Sequence, residues 1–183
     1  MKKLFCVLLS LVLLLSFAAC KREEEAPKEK SEEEKIAELL VSHYKSQVAL
    51  ATRDELRSIH TESYWESKKG TLQDFDRRVE NGGVSAIVMD GKTMTQEDVK
   101  QWFDETYGKD YVITAEIKET ETIDYSEMED EKFQYFFPHI QISDIEEARS
   151  VTFVICIKGD KKVQEQEEKT LPILKIDGKW YLQ

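Results

Sequence analysis

Ile173-Leu174-Lys175-Ile176-Asp177-Gly178-Lys179-Trp180-Tyr181-Leu182 decides how the rest of this chain is read. Two runs of strand-forming residues flank an Asp-Gly pair, which supplies the positive φ that a two-residue hairpin turn demands. Leu171 lengthens the first run, and Pro172, with no amide to donate, marks a bulge or a sheet edge. Further upstream, Val151, Phe153, Ile155 and Ile157 recur at every second position, with Val154 and Cys156 on the opposite face, and Gly159-Asp160 suggests a turn into Val163. Tyr111, Ile113, Ala115 and Ile117 alternate with Val112, Thr114, Glu116 and Lys118, the pattern of a half-buried strand. The C-terminal half therefore predicts antiparallel strands.

Before them the period is helical. Ser31-Glu32-Glu33-Glu34 is a capping box, followed by Ile36, Leu39, Leu40, His43 or Tyr44, Val48 and Ala51 on one stripe, so a helix is expected to end near Ala51. Thr52-Arg53-Asp54-Glu55 repeats the box and predicts a second helix with Leu56, Ile59, His60 and Tyr64 on one face. Thr71 opens a third, with Leu72, Phe75 and Val79, stopped by Asn81-Gly82-Gly83. Val84 to Met89 fits either a short strand or a buried turn of helix. Thr95-Gln96-Glu97-Asp98 caps a fourth helix that carries Val99, Trp102, Phe103 and Tyr107 and stops at Gly108. Ser126-Glu127-Met128-Glu129 is expected to cap a short helix leading to Phe133, Tyr135, Phe136 and Phe137 and ended by Pro138. Helices first and antiparallel strands last argue an α+β domain over residues 31–183, with N-terminal helices packed on a curved, mostly antiparallel sheet. A domain of about 150 residues buries roughly 68–70% of its extended surface, enough for one core.

The N-terminal segment has a different character. Met1-Lys2-Lys3 is basic, Leu4 to Phe17 is uncharged and predominantly apolar, and Ala18-Ala19-Cys20 closes the run with small residues before Lys21, Arg22 and three glutamates. Fourteen such residues are too few to span a bilayer and read as a secretory signal. Phe17-Ala18-Ala19-Cys20 resembles the lipobox of bacterial lipoproteins at three of its four positions, Phe17 standing where an aliphatic residue is usual; Ser16-Phe17-Ala18 offers ordinary signal-peptidase cleavage instead. The resemblance implies a cleaved signal peptide over 1–19 and a diacylglyceryl group, with palmitate-like chains, on Cys20. It implies a charged tether over 20–30 and a body held in an extracytoplasmic space of the cell envelope. Two acyl chains suffice for stable anchoring where one is marginal. Lys21 to Lys30, extended, reaches at most about 33 to 36 Å.

Charge and cysteine use bound the partners. With 37 acidic against 26 basic residues the net charge is −11, and it becomes more negative once Lys2 and Lys3 leave. Such acidity disfavours nucleic acid and anionic lipid surfaces. Cys6 leaves with the signal and Cys20 takes lipid, so Cys156 is expected alone, without a disulfide, as an inert thiol buried among Phe153, Val154, Ile155 and Ile157.

The closing hairpin, following N-terminal helices and a long pair of strands, is similar to the end of domains of the nuclear transport factor two-like, or cystatin-like, superfamily. That resemblance implies a sheet curled into a cone, whose mouth holds a ligand, a catalytic Asp or Tyr, or nothing.

Several constellations compete for chemistry. His43 and His60 lie on the apolar stripes of consecutive helices, where they would meet as metal ligands or as acid and base. Without a His-x-x-x-His or Cys-x-x-Cys companion, core histidines are the simpler expectation, and His139 beside Pro138 reads as a loop residue. His60, Tyr64, Trp65 and Trp102 are the pocket candidates, although aromatic residues in a chain this lean are more often core. Glu116 to Glu131 holds eight acids and one lysine, and Glu165, Glu167 and Glu168 form a second cluster; with no calcium-loop pattern, both read as solvated faces. There is no Gly-x-Ser-x-Gly, and neither Asn81-Gly82-Gly83 nor Asp90-Gly91 has the spacing or lysine of a phosphate loop. No cofactor or metal is expected. The expected function is a non-enzymatic, membrane-anchored domain that binds an envelope protein or a small ligand. The alternatives are an isomerase- or hydratase-like enzyme with a carboxylate, Tyr or His60 in the cone, and a structural envelope assembly factor.

Overall fold

Ser31 Oγ accepts the Glu34 amide at 3.2 Å while the Glu34 carboxylate accepts the Ser31 amide at 2.7 Å, and this reciprocal cap opens α1 (Glu32–Gln47). In this computed structural model, which describes residues 30–67, 87–89, 92–138 and 140–182, the same device recurs twice. Thr52 and Glu55 cap α2 (Arg53–Ser58), and Thr95 and Asp98 cap α4 (Gln96–Tyr107). The N-terminal segment 1–29, the helix expected from Thr71, the Asn81-Gly82-Gly83 and Asp90-Gly91 pairs, and His139 lie outside the described residues.

Two expectations for the N-terminal helices are corrected. α1 stops at Gln47 rather than near Ala51, because Ala49 takes a left-handed φ of 56° and the amides of Leu50 and Ala51 both return to the Lys45 carbonyl. The second expected helix is two, α2 and α3 (Glu62–Ser67), with His60 in the break. The cause is tertiary: the Ile59 carbonyl accepts the Leu182 amide at 2.7 Å, so the last strand takes an acceptor that a continuous helix would keep for itself. Of the ambiguous run, Ile87–Met89 forms β1, antiparallel to β2 (Lys92–Met94).

The C-terminal sheet is antiparallel and curls into a half-barrel. Its spine is β4 (Glu147–Lys158). β3 (Val112–Thr122) pairs with β4 along one side, with a register shift between Ile117 and Glu119 that leaves Lys118 as the extra residue of a bulge, a device that bends a strand. The other side of β4 is shared by β5 (Val163–Glu165) and β6 (Lys169–Ile176), one returning arm interrupted at residues 166–168. β6 turns through Asp177 and Gly178, with φ of 50° and 73°, into β7 (Lys179–Leu182), as the Asp-Gly pair predicts. Pro172 lies in the part of β6 that precedes the β7 pairing, a free edge where a missing amide costs no ladder bond.

The alternation along β4 divides the interior in two. Val151, Phe153, Ile155 and Ile157 join Ile36, Leu40, Val99, Phe103 and Tyr107 in the larger core, beneath α1 and α4. Ala148 and Leu174 point the other way, into a smaller core made with Phe133 of α5 (Asp130–Phe136) and Phe137, which follows it. α5 is preceded by Glu129 as its N-cap, not by the expected Ser126 box; the Ser126 amide instead donates to Asp124 in a tight turn. The same alternation corrects the expectation for Cys156, which is only partly buried, on the face opposite the larger core. Ser31–Gln183 forms one compact unit, and among the described residues no helix is long and apolar enough to cross a membrane.

Candidate functional site

A cleft of about 430 Å³ opens where α1 passes over the interrupted arm of the sheet. Its floor is Phe153 and Ile155, whose odd register on β4 turns them inward. One wall is the C-terminal part of α1, where His43, Tyr44 and Gln47 share a side because they lie one and four residues apart. The facing wall comes from Gln164 and Glu165 of β5, then Gln166, Glu167 and Lys169. The arm departs from regular pairing here, but the Gln166 amide still reaches the Ile155 carbonyl at 2.8 Å, so the cleft floor keeps its backbone partner.

Hydrogen bonds fix the orientation of the polar groups. Lys169 Nζ donates to Gln47 Oε1 at 3.4 Å, which leaves the Gln47 amide nitrogen to face His43 Nε2 at 3.0 Å. An amide nitrogen can only donate, so His43 Nε2 accepts and the imidazole is the neutral Nδ1–H tautomer. Electrostatics agree: burial pushes the His43 pKa down from the ordinary histidine value, and the charges of Lys169 and His60 push it the same way. Burial, with Tyr107 nearby, lifts the Tyr44 phenol to about 12. The wall therefore presents an uncharged imidazole and an uncharged phenol. Gln164 is braced from below by the Tyr107 hydroxyl, which donates to its Oε1 at 2.8 Å. Glu165, Glu167 and Lys169 are exposed; Glu165 pairs with Cys156 and so shares the sheet face opposite Phe153 and Ile155, which leaves Glu167 and Lys169 to place both signs of charge at the rim.

The pocket candidates from the sequence lie elsewhere. His60, Tyr64 and Trp65 do come together: His60 stacks on Tyr64 at 4.0 Å, and Trp65 meets both edge-on at 5.5 and 5.0 Å. His60 Nδ1 is 3.0 Å from the Leu182 carbonyl, and the buried Trp65 donates its indole N–H to the Arg57 carbonyl at 3.0 Å. Trp102 belongs to a different group, packed edge-on against Phe103 and Tyr107. None of the four lines the cleft. Among the described residues no three His, Cys, Asp or Glu side chains gather as a metal site.

For the chemistry of the cleft the sequence points only to His43, with Glu165 and Glu167 as part of a solvated acidic face and Tyr44, Phe153 and Ile155 as core. Gln47, Gln164 and Gln166 carried no signal, because an isolated glutamine looks the same on any solvated surface. No family model, curated protein or solved structure matches the chain.

Proposed function

We propose that this chain is an extracytoplasmic lipoprotein held to a bacterial membrane through Cys20, with a domain that binds rather than catalyses and whose receptor site is the cleft between α1 and the sheet. The anchor is supported by the sequence alone: a basic start, a short apolar run, and small residues before a thiol, followed by a charged tether. The cone-like, nuclear transport factor two-like reading is supported by the order of elements and by the curl of the sheet behind helices. The observation that carries binding is the cleft itself, walled by hydrogen-bonding side chains of α1 and of the returning arm of the sheet, within the ~300–1,000 Å³ range of small-molecule sites.

Two measurements test this. Intact mass of the membrane fraction is expected to show Cys20 at the N-terminus with a diacylglyceryl adduct; an unacylated chain, or one retaining residues 1–19, removes the anchor. Thermal shift against a small-molecule set, joined to pull-down from envelope extracts, is expected to produce a stabilising partner. If both come back blank, the binding reading fails.

A further inference from the structure

The two outer strands of the sheet end differently. The Leu182 amide of β7 donates to the Ile59 carbonyl and the Leu182 carbonyl faces His60 Nδ1, so the break between α2 and α3 stands where another strand would pair. β3 has no such cover. Its outward backbone groups follow from the ladder, because successive residues of an antiparallel strand bond alternately to one side and the other. The Ile155 carbonyl accepts the Gln166 amide of the returning arm, so Val154 and Cys156 turn their backbone the opposite way, toward Glu116 and Thr114 of β3. The backbone groups of Ile113, Ala115 and Ile117 therefore point away from the sheet, and no described backbone group meets them there.

Side chains along this edge state what pairs with it. Ile113, Ala115 and Ile117 pack against the larger core but are only partly buried, so apolar surface is left beside it. On the opposite face Thr114, Glu116, Glu119 and Glu121 are exposed. Lys118, the cation of the strand, is already paired with Glu116, and Glu116, Glu165 and Glu168 together raise its pKa. That face is therefore negative. Charged side chains are an ordinary defence of a sheet edge, and here they repel an acidic strand while attracting a basic one. A second copy of the chain is disfavoured on the same ground, since it brings an identical acidic edge and a second net charge of −11.

We propose that residues 112–117 of β3 are a docking edge for an extended segment of another protein, in which lysine or arginine alternates with small apolar residues. Its backbone pairs with Ile113, Ala115 and Ile117, its apolar side chains cover the surface left beside the larger core, and its cations lie along Glu116 and Glu119. The bulge at Lys118 ends regular pairing and limits the added strand to about six residues. This surface is separate from the cleft and does not depend on the anchor.

The test uses the full chain in detergent micelles and a heptapeptide that alternates lysine and valine. Its controls are the glutamate–valine counterpart and a lysine–valine peptide with proline at its centre, which keeps the charge but breaks the pairing. In the free chain, NMR amide exchange is expected to be fast at Ile113, Ala115 and Ile117 and slow at Thr114 and Glu116. The lysine–valine peptide alone is expected to slow the first three. Glu116→Lys/Glu119→Lys is expected to weaken its binding about tenfold, by turning cross-strand attraction into repulsion on exposed side chains, with the melting temperature little changed. Failure of the lysine–valine peptide to slow those amides, equal protection by either control, or binding indifferent to the charge reversal overturns the proposal. A chain that sediments as a dimer with the same three amides already protected gives the edge to a second copy and overturns the basic partner.

Discussion

Trp180 donates its indole N–H to Glu32 Oε2 at 2.8 Å, tying the last strand of the sheet to the first turn of α1. Lys175 and Lys35 reach the same carboxylate at 2.9 and 2.8 Å, and Arg149 and Lys175 lie over the Trp180 ring, 4.9 and 5.7 Å from its centroid. Glu32 thus serves α1 twice, as a favourable charge at the positive end of the helix and as the acceptor for a buried indole. It holds α1 across the sheet, and α1 carries the cleft wall.

This arrangement predicts an acid-sensitive docking of α1. Hydrogen bonds from Lys35, then Lys175, then Trp180, hold the Glu32 carboxyl at about 2, well below its ordinary 4.5. A depressed carboxylate contributes fully above the unfolded value and loses that contribution as pH falls through the folded one. The stability it supplies is therefore complete above about 4.5 and fades toward 2. Urea unfolding between pH 3 and pH 7 is expected to show a shallower pH dependence for Glu32→Gln than for the parent chain. Superimposable profiles would mean that the ionised carboxylate is irrelevant to folding.

Two glycines separate steric from conformational demands. A Cβ on Gly159 would overlap the Tyr107 carbonyl oxygen, which also accepts the Lys161 amide at 3.1 Å. The Lys161 ammonium donates to the Asp104 and Glu105 carbonyls at 3.2 and 3.1 Å, so the β4–β5 turn closes the C-terminal end of α4. Gly178 has φ +73° but nothing within 4 Å of a new Cβ. Gly159→Ala is expected to cost about 3 kcal/mol by overpacking against backbone that cannot yield. Gly178→Ala should cost about 1 kcal/mol, the strain of a left-handed alanine. Chemical denaturation that ranks them in the reverse order would refute the close approach at Tyr107.

What the sequence made legible is local. Three of the four expected caps, at Ser31, Thr52 and Thr95, and the Asp-Gly turn are short-range chemistry and form as expected, while the one at Ser126 does not. The α+β order follows from the change of period after Gly108. The break at Ile59–Thr61 was hidden because its cause, the amide of Leu182, arrives from the far end of the chain. The cleft was hidden for a related reason. It lies where the arm returning along β4 departs from its partner at residues 166–168, and the Gln-Glu alternation there reads equally as a solvated strand. His60, Tyr64 and Trp65, expected as pocket residues, gather instead around the β7 docking point, away from the cleft.

Cys156 offers a direct check on strand register. It faces away from the larger core, between Thr114 and Glu165 on the neighbouring strands, and is only partly buried. A small alkylating reagent is expected to modify it in the folded protein without denaturant. Modification that requires unfolding would place residue 156 inward and shift the β4 register by one.

The two half-buried histidines predict a second pH response, in a window separate from that of Glu32. Burial lowers both, Lys169 and His60 lower His43 further, and the Leu182 carbonyl opposes the shift at His60. A histidine whose folded value lies below the unfolded one binds its proton more readily when unfolded, so its stabilising contribution is complete above about 6.5 and declines as pH falls toward the folded value. Melting temperatures read from pH 7.5 down to 5.5 are expected to fall for the parent chain and to flatten in His43→Gln/His60→Gln. The two single variants should not add, because the charge of His60 raises the cost of protonating His43. Replacing Lys169 by Met is expected to move the His43 midpoint upward in an NMR titration while leaving that of His60 in place. Unchanged midpoints at both would remove the lysine from the cleft's electrostatics, and with it the Lys169–Gln47–His43 chain that holds the imidazole neutral.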